Sequence, residues 1–373
     1  MQTAVFDALN GIERRYTPVH VAADAPRGAS RRAAVAAAAH EALIMLFPAQ
    51  KAMLDARLAA SLAQISDDGD VSGKSIARGL AWGATVADEI LAWRASDGFT
   101  VVPPPYVAGT APGNWQPTPP LFGPPLFRQF ATMTPFALTS PAQFLPAGPP
   151  PLTSARYAQD FNEVKALGSA TSTVRTPLQT QTAIFWQVDT PAAMWNRVAD
   201  DLAEKHDTPL SQNARLLALA NISLADATIA VWNAKNIFDS WRPVTAIPNA
   251  DSDGNPATDP DPAWTPLLAT PQFQEYPSAH SGLSTAFTST LAAFYGNDTA
   301  FTVTSAGLPA VERSFTSFTT AIAQVADARV YAGFHFRFSC EAAVTLGTKV
   351  ADYVGSTIAQ PMHRVESGAS MNR

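Results

Sequence analysis

Apolar residues recur along the chain at the spacing of helices that bury one face. The helical period of about 3.6 residues is clear in three segments of the first hundred residues, which are 31–47, 49–65 and 73–93. It returns in five later segments, which are 180–188, 191–205, 212–235, 315–330 and 339–359. The pattern therefore predicts helices in the first hundred residues and again from residue 180 onward.

The segment 212–235 is apolar on most of its faces, which places it inside a bundle, and Ser211 is predicted to cap it. Two ionisable residues, Asp226 and Lys235, lie in this apolar context on opposite sides of an ideal helix. Each therefore needs a separate buried partner. Asp226 is interpreted either as the partner of an active-site arginine or as a buried carboxylate that is satisfied elsewhere.

The composition changes between residues 102 and 177, where 16 of the 31 prolines fall. Proline lacks a backbone N–H and fixes φ, so neither a long helix nor a central strand is expected there. Aromatic residues lie between the prolines, which indicates an arm that packs across a domain surface. We divide the chain into a helical region (1–98), a Pro- and aromatic-rich wrapping arm (99–178) and a helical bundle (179–373), which together form one compact unit.

The charge balance and the cysteine content exclude several classes of protein. The net charge is −6 and the 25 basic residues are scattered, which argues against a nucleic-acid partner. No run of 18 apolar residues is present, so no membrane span is expected. The single cysteine, Cys340, excludes an internal disulfide and a multi-cysteine metal site. No signal peptide is visible after Met1.

The stretch 275–282, Glu-Tyr-Pro-Ser-Ala-His-Ser-Gly, predicts a turn that runs into a helix of small residues. Pro277 disfavours helix at the residue before it, Ser278 is predicted to cap the helix, and His280 falls in its first turn. Backbone N–H groups in a first turn have no partner inside the helix and, with the helix dipole, they suit an oxyanion. The alternative is an ordinary helix start with a capping serine.

A second stretch, 235–243, places Lys235 and Arg242 on either side of a short aromatic segment that ends at a proline. Cations in this position suit an anion site. A surface ion pair with Asp239, which could neutralise one of the two, is the alternative interpretation.

The third stretch, 328–339, has Arg329 at the end of a helix and His335 in a tight aromatic turn. Gly333 permits the bend and Ser339 is predicted to cap the next helix. The three stretches together supply three permanent cations, two imidazoles and a helix N-terminus. Cations that were buried together without an anion would be costly, so their convergence would imply a bound oxyanion.

The three stretches contain motifs that resemble those of the vanadium-dependent haloperoxidases and of their relatives, the type 2 phosphatidic acid phosphatases and bacterial non-specific acid phosphatases. The motifs are Lys-x6-Arg-Pro (235–243), Pro-Ser-x-His (277–280) and Arg-x5-His (329–335). Further similarity to bacterial haloperoxidase-like proteins lies in Phe-Asp-Ala-Leu-Asn, Arg-Arg-Tyr, Asn-Trp-Gln-Pro-Thr-Pro-Pro and Asp-Phe-Asn-Glu-Val-Lys. The resemblance implies an all-α fold of two four-helix bundles with the anion site in the C-terminal one. It also implies a secreted or periplasmic location and further residues before Met1.

The resemblance implies roles for individual residues. His335 resembles the histidine that is bonded directly to vanadium, and His280 resembles the acid–base histidine beside the apical oxygen. The oxygens of vanadate would be held by a shell that consists of Lys235, Arg242, Arg329, the Ser278 hydroxyl and the Ala279 backbone N–H. Trp232 and Phe273 match residues that wall the halide pocket in the chloroperoxidase branch.

Three positions depart from the pattern of the family. Ala279 stands in place of a glycine, Ala328 in place of a serine, and Ser339 in place of the aspartate often found four residues after the metal-binding histidine. Because that aspartate would neutralise part of the positive charge, we expect Ser339 to leave more positive charge facing the oxyanion.

Three functions are compatible with these residues. A haloperoxidase would bind vanadate and use hydrogen peroxide, a halide and a small organic acceptor, with Lys235 polarising the peroxide and hypohalous acid as the product. An acid phosphatase would bind phosphate in the same cage, form a phosphohistidine at His335 and protonate the leaving alcohol from His280. The third function is that of a non-catalytic helical domain that binds an oxyanion. Assembly into a homo-oligomer is left open.

Overall fold

The computed structural model describes residues 1–65 and 73–362, and these ranges contain twelve α-helices and one two-stranded hairpin. The all-α prediction is confirmed. The described residues form two compact units, one of residues 1–65, 73–95, 209–219 and 355–362, the other of residues 96–208 and 220–354. The last part of the predicted segment 179–373, from residue 363, lies outside the described residues.

The first unit contains four helices with short side chains at their contacts. They are α1 (Gln2–Glu13), α2 (Arg31–Leu46), α3 (Lys51–Ala63) and α4 (Lys74–Arg94). Gly79 and Gly83 of α4 face the buried alanines of α2 so closely that an added Cβ would collide with the backbone of α2. The Trp82 indole N–H donates to the Ala8 carbonyl of α1 at 2.8 Å. The three helices predicted at 31–47, 49–65 and 73–93 are thus confirmed, with small shifts at their ends.

The second unit contains most of the remaining helices. They are α5 (Ala155–Leu167), α6 (Pro177–Phe185), α7 (Pro191–Lys205), most of α8 (Leu210–Phe238), α9 (Pro243–Ala246), α10 (Ala279–Tyr295), α11 (Phe318–Tyr331) and most of α12 (Arg337–Thr357). An antiparallel hairpin of β1 (Phe301–Thr304) and β2 (Glu312–Phe315) precedes α11. The helix predicted at 315–330 therefore begins three residues late, because Phe315 pairs with Phe301 in the hairpin.

The helix α8 has the length and apolar composition of a membrane span, but 67% of its most apolar window is buried inside the protein. Such burial is typical of the core helix of a globular protein. Among the other described helices, only α2 and α3 reach the same criterion, and only if both are counted as one span across a bend of 120°.

Two predicted caps are wrong because their helices begin earlier than the sequence indicated. The helix α8 starts at Leu210, so Ser211 lies within its first turn. The helix α12 starts at Arg337, because the Phe336 carbonyl already accepts the N–H groups of Ser339 and Cys340. Ser339 is consequently a buried residue of the first turn.

The Pro-rich segment is mostly irregular, but it contains the helix α5, which was not predicted. No proline lies between Pro151 and Pro177. Ser154 caps α5 by accepting the Tyr157 N–H at 3.2 Å. The expectation that no long helix forms between residues 102 and 177 is therefore wrong for this part. A proline cluster forbids helix only where the prolines themselves lie.

The arm is fastened to α8 through Asp226. The fully buried Asp226 carboxylate accepts the backbone N–H groups of Phe136, Ala137 and Leu138 at 2.7, 2.8 and 2.9 Å. The second interpretation of Asp226, a carboxylate that is satisfied away from the arginines of the site, accounts for these contacts.

Candidate oxyanion site

The three stretches singled out in the sequence meet within the second unit. Lys235 lies in the last turn of α8, Arg242 directly before α9, His280 in the first turn of α10, Arg329 in the last turn of α11, and His335 between α11 and α12. The pKa of His335 is lowered well below 6.5, first by burial and then by the charges of the other four. The fold thus brings the predicted cations and imidazoles together.

A left-handed glycine sets the turn that holds His335. Gly333 has φ of +79°, and a Cβ at this position would lie 2.6 Å from the Gly168 carbonyl oxygen. Only glycine fits there without displacement of its neighbours. The Phe334 N–H donates to the Arg329 carbonyl at 3.1 Å and closes the end of α11. The bend expected at Gly333 is therefore present, and it places His335 within electrostatic reach of Arg329.

The Lys235 ammonium is fully buried and donates to two backbone carbonyls, those of Gln274 at 2.6 Å and Glu275 at 3.0 Å. Burial lowers the pKa of Lys235 well below 10.5, and Arg242 lowers it further, while Glu275 opposes the shift. Because an ammonium has three protons, one remains for an acceptor in the site.

Three hydrogen-bond acceptors orient the Arg242 guanidinium. Its Nε donates to the Phe273 carbonyl at 2.8 Å, and its Nη1 donates to the Phe334 carbonyl at 2.9 Å and to His335 Nε2 at 3.0 Å. Its Nη2 is buried without a hydrogen-bond partner among the described residues. Burial lowers the pKa of Arg242 to about 10, so the group stays charged at neutral pH.

Only one nitrogen of the Arg329 guanidinium has a hydrogen-bond partner among the described residues. Its Nη1 donates to Gln187 Oε1 at 2.8 Å, whereas Nε and Nη2 are buried and have no partner within the described residues. Sequence reasoning missed Gln187, because nothing in its neighbourhood marks it as a site residue. A buried donor without a partner costs about 1–3 kcal/mol, so the three unpartnered nitrogens of Arg242 and Arg329 point to a ligand that accepts hydrogen bonds.

His280 is half-buried, whereas the three cations of the site and His335 are buried. Its Nε2 is nevertheless buried and has no partner among the described residues. The pKa of His280 is lowered well below 6.5 by burial and then by Arg329, Arg242 and Lys235. The imidazole is therefore neutral at neutral pH and can accept a proton.

The first turn of α10 faces the site with Ser278 and Ala279, both of which are buried. The predicted side-chain cap is wrong: Ser278 occupies the N-cap position, but its hydroxyl makes no capping hydrogen bond. It accepts the Ser281 hydroxyl at 3.1 Å instead, so its own proton stays available for a ligand. The Ala279 N–H lies in the first turn, where backbone donors have no partner inside the helix.

Sequence reasoning assigned no role to Glu275, which the structure places beside His335. Its Oε1 accepts from His335 Nδ1 at 2.8 Å and from the Phe336 N–H at 3.1 Å, and the residue is fully buried. Burial raises the pKa of Glu275 to about 7, against the influence of Arg242 and Lys235. Its neighbours Gln272 and Gln274 are also polar, so nothing in the local sequence marked Glu275 as a site residue.

The presence of Glu275 corrects an expectation about Ser339. The serine does not leave the site without a carboxylate, because the carboxylate is supplied from position 275. The Ser339 hydroxyl lies 3.4 Å from His335 Nδ1 and donates to the Glu275 carbonyl at 3.4 Å. The negative charge that an aspartate at position 339 would supply therefore comes from Glu275 instead.

The predicted aromatic wall is present beside the cations. The rings of Trp232 and Phe273 lie 5.4 Å apart between centroids, and Phe273 lies 5.1 Å from Lys235 Nζ and 4.9 Å from Arg242 Cζ. Two further rings, which were not predicted as part of the wall, contact Trp232 edge to face, namely Phe127 and Phe130.

The alternative interpretation of the second stretch, an ion pair with Asp239, is wrong. The Asp239 carboxylate accepts the Tyr106 hydroxyl at 2.9 Å and the Gln274 side-chain amide at 3.1 Å. Lys235 and Arg242 instead use backbone carbonyls as partners, which leaves their positive charges for the site.

Three buried cations around one buried carboxylate leave an excess of positive charge, and their unpartnered N–H groups need acceptors. Within the part of the chain that the structure describes, no group of three or more His, Cys, Asp or Glu side chains is arranged to hold a metal cation. The donors suit a tetrahedral oxyanion such as vanadate or phosphate. Fold and site together define a helical protein with a buried oxyanion site.

Comparison with known proteins finds relatives among the vanadium-dependent haloperoxidases. A family model described as the VCPO second helical-bundle domain matches residues 215–364. The vanadium chloroperoxidase of Curvularia inaequalis is 30% identical over an alignment of 182 residues, which covers 40% of this chain and 29% of that protein. The chain is therefore similar to vanadium-dependent haloperoxidases, and it spans less than a third of the length of that curated relative.

Two solved structures extend the likeness over nearly the whole chain. The first bacterial vanadium-dependent iodoperoxidase gives a TM-score of 0.81 at 26% identity and covers 97% of this chain and 90% of its own. An apo bacterial vanadium-dependent chloroperoxidase gives a TM-score of 0.75 at 18% identity, with 95% and 90% covered, and supports the fold alone.

Proposed function

We propose that the protein is a vanadate-dependent haloperoxidase that uses hydrogen peroxide to oxidise a halide to hypohalous acid. The observation that carries the proposal is the set of buried, unpartnered N–H donors of Arg242 and Arg329 beside the acceptor nitrogen of His335. Those donors need hydrogen-bond acceptors, which the oxygens of an oxyanion provide. An imidazole nitrogen with a lone pair can bond a metal. The similarity to vanadium-dependent haloperoxidases supports vanadate as that oxyanion.

The residues of this chain would divide the binding of vanadate between them. His335 Nε2 would provide the direct bond to the metal, and the oxygens would be held by Lys235, Arg242, Arg329, the Ser278 hydroxyl and the Ala279 N–H. Bound vanadate would supply Lewis-acid activation of peroxide without a change in its oxidation state. The negative charge of the oxyanion would also offset the cost of burying three cations together.

His280 would manage protons at this site. The lowered pKa keeps it neutral at neutral pH, its Nε2 is buried without a partner among the described residues, and the residue as a whole is half-buried. Peroxide chemistry at bound vanadate would require protons to be taken up and released, and a neutral imidazole could accept a proton from hydrogen peroxide and return it. Lys235, which has one proton free of the backbone carbonyls, would polarise the bound peroxide.

The aromatic wall would hold the halide. Trp232 and Phe273 form an apolar surface next to Lys235 and Arg242, and such a surface excludes water from a reactive oxygen while nearby cations attract an anion. A small organic molecule would then accept the halogen from hypohalous acid.

An acid phosphatase is the second candidate, because His335 Nε2 carries a lone pair and is held beside three cations, as a phosphohistidine nucleophile would require. In that reaction His280 would protonate the leaving alcohol. A non-catalytic oxyanion-binding domain would keep the cage without turnover.

One set of measurements separates the three functions. The protein is soaked in vanadate, desalted and analysed for vanadium by inductively coupled plasma spectrometry, and the same sample is assayed for peroxide-dependent bromination of a phenol dye and for hydrolysis of a phosphate monoester. We expect one vanadium per chain and bromination that requires both vanadate and peroxide. Ester hydrolysis without bromination would establish the phosphatase, and vanadium binding without either activity would establish the binding domain.

A further inference from the structure

Two contacts of His335 identify the nitrogen that carries its proton. The Arg242 Nη1 lies 3.0 Å from His335 Nε2, and a guanidinium can donate but never accept, so Nε2 must present its lone pair. In a neutral imidazole the proton is then on Nδ1. That nitrogen lies 2.8 Å from Glu275 Oε1, which accepts it.

The carboxylate is placed for this purpose by its surroundings. Glu275 is fully buried, and its Oε1 also accepts the Phe336 N–H, which belongs to the residue after His335. One oxygen therefore holds both the imidazole and the backbone next to it. The backbone of Glu275 is fixed in turn, because its N–H donates to the Ser240 carbonyl at 2.9 Å and its carbonyl accepts from Lys235.

We infer that Glu275 is the positioning residue of His335: it retains the proton on Nδ1 and fixes the ring so that the Nε2 lone pair faces Arg242 and the oxyanion site. Carboxylates that accept the second N–H of a metal-binding histidine set its tautomer and orientation and raise its basicity. The inference rests on the proposed function only for what Nε2 binds, because the tautomer follows from contacts within the chain.

The geometry also explains how a serine is tolerated at position 339. The Ser339 hydroxyl lies 3.4 Å from His335 Nδ1. An aspartate at position 339 would therefore place its carboxylate near the same nitrogen that Glu275 contacts. A carboxylate that contacts His335 Nδ1 can therefore come from either position 275 or position 339. A carboxylate moved from 275 to 339 should restore what the loss of Glu275 removes.

The first measurement is made on the wild-type protein without vanadate, and a variant serves only to assign the signals. The protein is labelled with ¹⁵N-histidine, and long-range proton–nitrogen NMR spectra assign the ring nitrogens of its six histidines, with His335→Ala identifying the His335 signals. We expect the proton on Nδ1 of His335. A wild-type spectrum with the proton on Nε2 would overturn the inference, whatever the variants show.

The second measurement compares Glu275→Ala, the double variant Glu275→Ala/Ser339→Asp and the control Glu341→Ala by equilibrium dialysis with vanadate. Glu341 is a largely exposed carboxylate of α12 that pairs with Arg156, so its loss should leave the site unchanged. We expect Glu275→Ala to raise the vanadate dissociation constant by about 10- to 100-fold and the double variant to recover most of the loss.

Circular dichroism and thermal melting show whether each variant is folded. A folded Glu275→Ala with a dissociation constant within about twofold of wild type, or a folded double variant without recovery, would contradict the inference. If wild-type protein fails to bind vanadate, the proposed function fails instead, and the NMR measurement on the vanadate-free protein still decides the tautomer.

Discussion

At the scale of the residue, each arginine of the site is anchored on one side and has donors left over on the other. Arg242 is fixed by two carbonyls and Arg329 by the Gln187 amide, while three of their nitrogens stay unpartnered among the described residues. Rigid anchoring means that little rotamer entropy is lost when an oxyanion binds. In the proposed function His335 and His280 would add what charge alone cannot supply, a bond to the metal and transfer of a proton.

We expect His335→Ala to abolish stable retention of vanadate while the helical fold is preserved. The remaining contacts are hydrogen bonds and charge, whereas His335 would make the direct bond between protein and metal. Equilibrium dialysis and far-ultraviolet circular dichroism measure the two effects. His40→Ala is the matched control, since His40 lies on α2 and contacts Asp55 at 2.8 Å. Equal vanadate retention by His335→Ala and wild type would remove His335 from the site.

The variant His280→Ala should reduce turnover by about a hundredfold or more, with vanadate still bound. The reason is that His280 would move protons and would not hold the oxyanion through a metal bond. The control is His206→Ala, which removes an exposed ring stacked on Tyr295. Rates of dye bromination and of phosphate-ester hydrolysis that both equal those of wild type would show that His280 has no part in either mechanism.

At the scale of the element, the ends of helices carry the site, and one buried side chain fixes the arm. The last turns of α8 and α11 provide Lys235 and Arg329, and the first turn of α10 provides His280. The arm has few regular hydrogen bonds of its own, so its attachment to α8 through Asp226 replaces the ladders that helices and strands provide.

Replacement of Asp226 by asparagine should destabilise the protein by about 1–3 kcal/mol. The amide keeps the shape of the carboxylate, but its nitrogen cannot accept a hydrogen bond, so at least one of the three backbone N–H groups loses its partner. Thermal melting measures the loss, and limited proteolysis should cut within residues 102–151 faster than in wild type. Asp251→Asn changes an exposed aspartate and should change neither. Equal melting curves for the two variants would refute the anchoring role.

At the scale of the whole molecule, the proposed activity depends on how much positive charge reaches the oxyanion. Glu275 takes part of it through His335, and Lys235 shares its protons with two carbonyls. We also expect the Ala279 methyl group, which stands in place of a glycine, to narrow the approach to the oxyanion at the start of α10. The aromatic wall also makes desolvation more costly for chloride than for bromide or iodide. All four features weaken oxidation of the halide that is hardest to oxidise.

We therefore expect robust oxidation of iodide and bromide, with chloride turned over weakly or not at all. Steady-state rates with the three halides at one pH and one peroxide concentration provide the measurement. Turnover of chloride at the rate of bromide would show that charge on the oxyanion is not limited by Glu275 and Ala279. Phe273→Ala serves as a comparison, because loss of the wall should slow all three halides while vanadate stays bound.

The sequence by itself determined the helices and the identity of the charged groups. Periodicity located α2, α3, α4 and α7 closely, because each buries one face and the period records that face directly. The order and spacing of three motifs named Lys235, Arg242, Arg329 and both histidines. Such features are local in the chain, so no knowledge of the fold is needed to read them.

Only the tertiary structure decided which groups meet and which atoms stay unpartnered. Glu275 and His335 are sixty positions apart, and Gln187 reaches Arg329 across 142. Contacts over such separations leave no periodic trace in the chain. The starts of α8 and α12 likewise depended on which carbonyls accept the first N–H groups, and this moved Ser211 and Ser339 inside their helices. The carboxylate that balances the site is therefore known from the fold, since no motif marks it.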